Sequence, residues 1–129
     1  VVIREGPDVS IFATGGMVSQ AIKAAKTLAG QGVECKIVNI HTIKPLDVEA
    51  VKLSLNCKLI VSIEEHSVVG GLGSAIAEVL ATEGGTAPLL TLGVSTEYKH
   101  AGSYEYMLDQ YELTDKYISD KISQKLGKL

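Results

Sequence analysis

The amino-acid sequence predicts a three-layer α/β/α domain built around a mostly parallel sheet. Three observations carry that expectation. Short β-branched and aliphatic runs alternate with helical patterns along the chain, the run at 59–63 shows no polar alternation, and glycine pairs stand where strands give way to helices. A strand open to water on one side alternates apolar with polar residues, so a run without that alternation belongs in a sheet covered on both faces.

In chain order, residues 1–5 form a strand that ends at the turn Gly6-Pro7-Asp8; starting inside structure, they lead us to expect a domain cut from a longer polypeptide. Residues 9–13 are a second strand, and Gly15-Gly16 separates it from a helix. In that helix Val18, Ala21, Ile22, Ala25, Leu28 and Ala29 share one face, with Gln20, Lys23, Lys26 and Thr27 mostly on the other. Gly30 and Gly32 close it, and residues 33–40 give a β-branched strand. Pro45 and Asp47 introduce a shorter helix through Val48, Val51, Leu53 and Leu55, with Asp47 as its N-cap. The run at 59–63 is expected at the centre of the sheet. Gly70-Gly71-Leu72-Gly73 leads into a helix facing inward with Leu72, Ala75, Ile76, Val79 and Leu80, and Gly84-Gly85 stops it before a strand at 89–94. In the tail, Tyr104, Met107, Leu108 and Tyr111 make a helical stripe capped by Ser103, and Thr114 caps a last helix carrying Ile118, Ile122 and Leu126.

Composition bounds the function. With 129 residues, 46% of them apolar, the chain suits one domain over 1–129 with a single core. A net charge of -3 with no run of Lys or Arg argues against nucleic acid as partner. No apolar run approaches the roughly 20 residues that span a bilayer, and no signal-peptide layout opens the chain, so a cytoplasmic protein without a membrane partner is expected. Cys35 and Cys57 form neither a CxxC pair nor a metal spacing and are expected as reduced thiols.

The segment from Ile63 to Ser74 is the most suggestive for a site. Glycine-rich backbone at a helix start offers N–H donors and a positive dipole end to an anion, which makes Gly70, Gly71 and Gly73 a candidate anion loop. Their spacing is neither GxGxxG nor GxxxxGK[ST], and glycines also allow close helix-to-sheet packing. Glu64, Glu65 and His66 leave a buried strand at its carboxyl end, where open α/β sheets bind ligands, and could act as acid or base groups. The same charges must reach water or a partner surface, so a structural or interface role outweighs catalysis. Gly15-Gly16 is a second glycine turn without a Lys, Arg or acidic signature. His41 and His100 lack close ligand partners, so no metal site is expected. Ser67 and Ser74 near His66 stand in no GxSxG elbow, and the tyrosines at 104, 106, 111 and 117 suit packing or a subunit contact.

Three motifs carry the reading further. Glu5-Gly6-Pro7-Asp8-Val9-Ser10-Ile11-Phe12-Ala13-Thr14-Gly15, then Ile40-His41-Thr42-Ile43-Lys44-Pro45-Leu46-Asp47, then Ile63-Glu64-Glu65-His66 with Gly70-Gly71-Leu72-Gly73, resemble in order and spacing the C-terminal domain of the transketolase family, across essentially the entire chain. The segment 39–47 is most similar to bacterial or archaeal transketolases split between two polypeptides; the segment 96–104 departs from typical transketolases. The resemblance implies a five-stranded sheet whose first strand runs antiparallel. It also implies a parent enzyme that moves two-carbon ketol units between sugar phosphates with thiamine diphosphate and Mg2+, as a homodimer or heterotetramer. The cofactor would be held by other domains, this domain binding none and contributing no catalytic residue, and the isolated domain would be inactive. Glu65, His66, Gly70 and Gly71 would then be interface residues against other transketolase domains or a subunit. Parents in two related branches, deoxyxylulose phosphate synthase or the β subunit of a 2-oxo acid dehydrogenase, are the alternatives, beside a small anion- or nucleotide-binding module.

Overall fold

The structure, a computed structural model, describes residues 1–41, 46–67, 71–94 and 113–129, with residues 65–67 and 94 given by their backbone. The strands are β1 (Val2–Arg4), β2 (Val9–Ala13), β3 (Cys35–Asn39), β4 (Leu59–Ser67) and β5 (Leu89–Val94). They form a single five-stranded sheet in the order β1-β3-β2-β4-β5. β1 runs antiparallel to β3, and every other pairing is parallel. The helices are α1 (Met17–Ala29), α2 (Val48–Lys52), α3 (Leu72–Glu83) and α4 (Asp115–Gly127).

β2 takes the middle position. Its Val9 stands opposite Cys35 on one side and Leu59 on the other, and all five of its residues are buried. The run at 59–63 is thus interior but one place off the expected centre, because two strands, β3 and β1, lie beyond β2 while only β5 lies beyond β4. Successive side chains of a strand point to opposite faces. Val9, Ile11 and Ala13 of β2, with Val61 and Ile63 of β4, pack on α1 and α4 through Met17, Ala21, Leu28, Ile118 and Ile122. Phe12 and Ile60 point the other way and pack on α2 and α3 through Val51, Leu72, Ile76 and Val79.

Several local expectations shift by a residue or two. The buried stripe of α1 is Met17, Ala21, Ala24, Ala25 and Leu28, with Val18 and Ile22 on its flank. Asp47 caps α2 as expected, its Oδ1 accepting from the Ala50 N–H at 3.2 Å. That helix stops at Lys52, however, leaving Leu53 78% exposed while Ser54 turns inward and its hydroxyl donates to Ser10 Oγ at 2.8 Å. Thr114 takes the N-cap position of α4 without a side-chain cap bond. The Asp115 N–H instead donates to Gln20 Oε1 of α1 at 2.9 Å, tying the two helices together. The stripe expected around Tyr104, with its Ser103 cap, lies outside the described residues.

Two glycines are there because nothing larger fits. A Cβ on Gly6 would stand 2.6 Å from the backbone of Cys35, so the turn after β1 lies directly on the start of β3. Asp8 staples that turn, its Oδ2 accepting from the Glu34 N–H at 2.8 Å. On the other side of the sheet, a Cβ on Gly73 would meet Thr91 Cγ2 at 2.6 Å and Ser62 Oγ at 3.0 Å. The first turn of α3 therefore rests on β4 and β5 at the closest approach a helix backbone can make. Gly73→Ala is expected to lower stability by about 1–3 kcal/mol through this overpacking. Gly127→Ala, where nothing lies within 4 Å, should leave it unchanged or slightly raised. Urea denaturation of the two variants side by side checks both.

Candidate functional site

The parallel strands place their carboxyl ends along one edge, with Ala13 level with Asn39 and Ile63. β4 continues past that level to Ser67. Between Ile63 and Leu72 the chain does something that its string of charges disguises. Strand alternation turns Glu64 to the α3 face, where it is 1% exposed. Its Oε1 accepts from the Leu72 N–H at 3.0 Å and its Oε2 from the Gly73 N–H at 3.1 Å. Gly71, at the N-cap, has no side chain to offer, so the cap of α3 comes from the sheet. A carboxylate against the positive end of a helix, with both oxygens satisfied, is a charge-assisted arrangement that compensates for leaving water.

This bears directly on the candidate anion loop. The Leu72 and Gly73 donors that an incoming phosphate would use are already engaged by Glu64. Gly73 itself is buried against β4 and β5, and the Gly71 carbonyl accepts from the Ala75 N–H at 3.1 Å as part of the helix. Gly70 and His100 lie outside the described residues, and Glu65 and His66 are described through their backbone as part of β4. The backbone at those two positions is irregular. Glu64 pairs with Gly93 and Ser67 with Val94, so β4 advances three residues while β5 advances one. Glu65 and His66 thus form a bulge at the carboxyl edge, a device that re-aims side chains next to sites and interfaces.

At the other glycine turn, Gly15 has φ of 55° and the α1 start has no side-chain cap and no acidic residue in its first turn. The Met17 and Val18 N–H groups donate to Thr14 and Gly15 carbonyls at 3.1 and 3.3 Å, and the Thr14 N–H donates to the Ile63 carbonyl at 3.2 Å. His41 is exposed. Among the described residues no three His, Cys, Asp or Glu side chains gather as a metal site would need. At the amino end of the sheet a cavity of about 690 Å³ is lined by Asp8, Asn56, Cys57, Lys58, Thr86 and apolar neighbours. Its polar groups serve the fold: Lys58 pairs with Asp8 at 3.4 Å, and Asn56 Oδ1 accepts from the Thr86 N–H at 3.1 Å.

Both cysteines are free thiols. Cys57 donates to the Leu59 carbonyl at 3.2 Å, whereas burial pushes the Cys35 thiol from 9.0 up to about 11.

Sequence reasoning grouped Glu64 with Glu65 and His66 as charges leaving the sheet. The missed signal was the two-residue step from Ser62 to Glu64, which keeps both on one face, followed by a helix start with no capping side chain of its own.

Together these features define a class: a three-layer α/β/α domain whose α3 anion position is filled by its own carboxylate and whose carboxyl edge carries an overhanging, bulged strand. Comparison with known proteins gives the family. The family model for the C-terminal domain of transketolase matches residues 1–118, and the chain belongs to that family. It is 44% identical over 117 residues to the 6-deoxy-6-sulfo-D-fructose transketolase subunit SqwH of Clostridium sp. (strain MSTE9), covering 90% of this chain and 36% of that protein. It is 35% identical to the putative transketolase C-terminal section of Methanocaldococcus jannaschii, covering 98% of this chain and 40% of that one. A 1-deoxy-D-xylulose-5-phosphate synthase from Caldanaerobacter subterraneus subsp. tengcongensis is 37% identical over 96% of this chain and 20% of its own length. Among solved structures, a split-gene transketolase in an inactive beta4 tetramer superposes with a TM-score of 0.90 at 36% identity, over 98% of this chain and 42% of that one. The chain therefore spans about two fifths or less of the length of these relatives.

Two outcomes are expected. Glu64→Gln removes the charge at the helix end and sets an amide donor against an N–H, lowering stability by about 1–3 kcal/mol in urea denaturation. A thiol whose folded pKa is raised keeps its full contribution below its unfolded value and loses it as pH rises through the folded one. Stability should thus decline from about pH 9 to about pH 11, and Cys35→Ala should flatten that slope by one proton in denaturation midpoints measured across the range.

Proposed function

We propose that this chain is the non-catalytic C-terminal domain of a transketolase-type enzyme and serves to assemble it. The observation that carries the reading is the likeness to the split-gene transketolase over 98% of the chain, at a TM-score of 0.90. Two features of the chain itself support it. The α3 start, the position where such a fold would take a phosphate, is filled by Glu64. The described residues supply no grouping for a divalent metal, and the sequence has no GDG diphosphate motif with a downstream Asn.

On this reading thiamine diphosphate and Mg2+, on which the parent family depends, are held by other domains of the enzyme. Those domains transfer two-carbon ketol units between sugar phosphates, the cofactor serving as electron sink. Glu65, His66, Gly70 and Gly71 are interface residues against those domains, and the parent is a homodimer or heterotetramer in the cytoplasm. Deoxyxylulose phosphate synthase is the second reading of the parent, supported by the 37% identical relative.

The test has two parts. Titrated alone with thiamine diphosphate and Mg2+ in a calorimeter, the chain is expected to give no saturable heat. Supplied with all the remaining domains of its parent enzyme, it is expected to bring up ketol transfer between sugar phosphates. Saturable cofactor binding by the chain alone, or no activity from the mixture, would sink the reading.

A further inference from the structure

We infer that the cavity at the amino end of the sheet is a binding site for a small carboxylic acid with an apolar body, a monoanion of the arylalkanoate kind. Its volume of about 690 Å³ falls within the roughly 300–1,000 Å³ of pockets that enclose small ligands. The cavity lies where the four parallel strands begin. Asp8 precedes β2, Val33 stands just before β3, Lys58 precedes β4 and Pro88 precedes β5, while α4 reaches the lining with Leu126. Backbone bonds hold these walls in place. The Lys58 N–H donates to the Asp8 carbonyl and the Ile60 N–H to the Pro88 carbonyl, both at 2.9 Å, and the Ala87 N–H donates to the Leu55 carbonyl at 3.0 Å. A Cβ on Gly85 would stand 2.5 Å from the Leu55 carbonyl oxygen, so the loop before β5 is seated on the loop before β4. A space formed in advance spares a ligand the ordering cost of a loose one.

The class of ligand follows from the groups left over once the fold's own bonds are made. Both Asp8 oxygens are engaged, Oδ1 by Lys58 Nζ at 3.4 Å and Oδ2 by the Glu34 N–H at 2.8 Å. Asn56 Oδ1 accepts from the Thr86 N–H at 3.1 Å and from the Thr86 hydroxyl at 3.4 Å, and the Cys57 thiol donates to the Leu59 carbonyl. Among the described residues, the polar hydrogens that remain in the lining belong to the Asn56 amide nitrogen and to the Lys58 ammonium, which spends one of its three on Asp8. Both are donors, so the ligand brings the acceptors. Its charge is bounded as well. Asp8 and Lys58 are the charged residues of the lining and sum to zero, so a dianion such as a phosphate monoester meets no net positive field. A single carboxylate suits the place, with one oxygen for each donor. Val33, Pro88 and Leu126 supply apolar surface that an aryl or alkyl body covers. A bound acid thereby ties α4 to the loops ahead of β4 and β5.

The experiment titrates the chain with 4-phenylbutyrate and follows backbone amide signals by NMR. Saturable shifts are expected at Val33, Cys57 and Thr86, with half-saturation at about 1 mM or below. The neutral 4-phenylbutanol should bind about tenfold more weakly and 4-phenylbutylamine no better than the alcohol. Two variants test the donors. Asn56→Asp keeps an oxygen for Thr86 while turning the free donor into an anionic acceptor, and Lys58→Gln removes the charge from a side chain that is 71% exposed. Each should weaken the acid by about tenfold, with the spectrum in the absence of ligand reporting that the fold is kept. Absence of saturation by about 10 mM, or shifts confined to other parts of the chain, would overturn the site. An alcohol or amine that binds as tightly as the acid, or two folded variants that bind the acid as wild type does, would overturn the carboxylate assignment. Because the chain is titrated alone, each outcome is independent of the assembly reading.

Discussion

The architecture depends on one constraint: β2 and β4 have no face that can meet water. Every residue of β2 is buried, and Leu59, Ile60, Val61 and Ile63 of β4 are at 0% exposure. Each of these two strands therefore needs a helical layer above and another below. α1 and α4 supply one, α2 and α3 the other. Parallel connections enforce the same result, because the chain must cross back over the sheet before each new strand and does so as a helix. Strand order, glycine turns and the site at the carboxyl edge all follow from that need.

Much of this was legible in the sequence, for a physical reason. Interior strands leave unbroken apolar runs, and crossover helices leave a three-and-four spacing, so residues 9–13 and the inward face of α3 stand where the pattern puts them. What was not legible depends on neighbours. The place of 59–63 beside, and not at, the sheet centre is decided by β3 and β1 both stacking beyond β2, which no single run records. Leu53 continues a helical spacing but falls after the helix stops, and Ser54 is drawn in by the Ser10 hydroxyl 44 positions away. The Thr114 cap looked complete locally, yet the Asp115 N–H found Gln20.

The candidate site shows the same division. The motif that carries it is local and could be quoted from the sequence. Its chemistry is not local, because the donors that hold the Glu64 carboxylate, at Leu72 and Gly73, stand eight and nine residues on. The two glycine turns, similar in sequence, differ in just this respect. The turn before α3 carries a carboxylate from the sheet, whereas the turn before α1 closes on its own carbonyls. A glycine-rich helix start is thus an anion site only until the strand behind it is known.

The contact between Gln20 and Asp115 has a consequence for how the chain comes into being. It joins residues 95 apart, and α4 brings Ile118 and Ile122 to the same cluster that β2 and α1 helped to form. During synthesis all five strands emerge before α4 does, so Ile11, Val61 and Leu92 wait with half their cover missing. Long-range closure of this kind slows folding and leaves apolar surface open while it waits. Within this domain, the docking of α4 is therefore the step that covers the apolar surface still open on that face of the sheet.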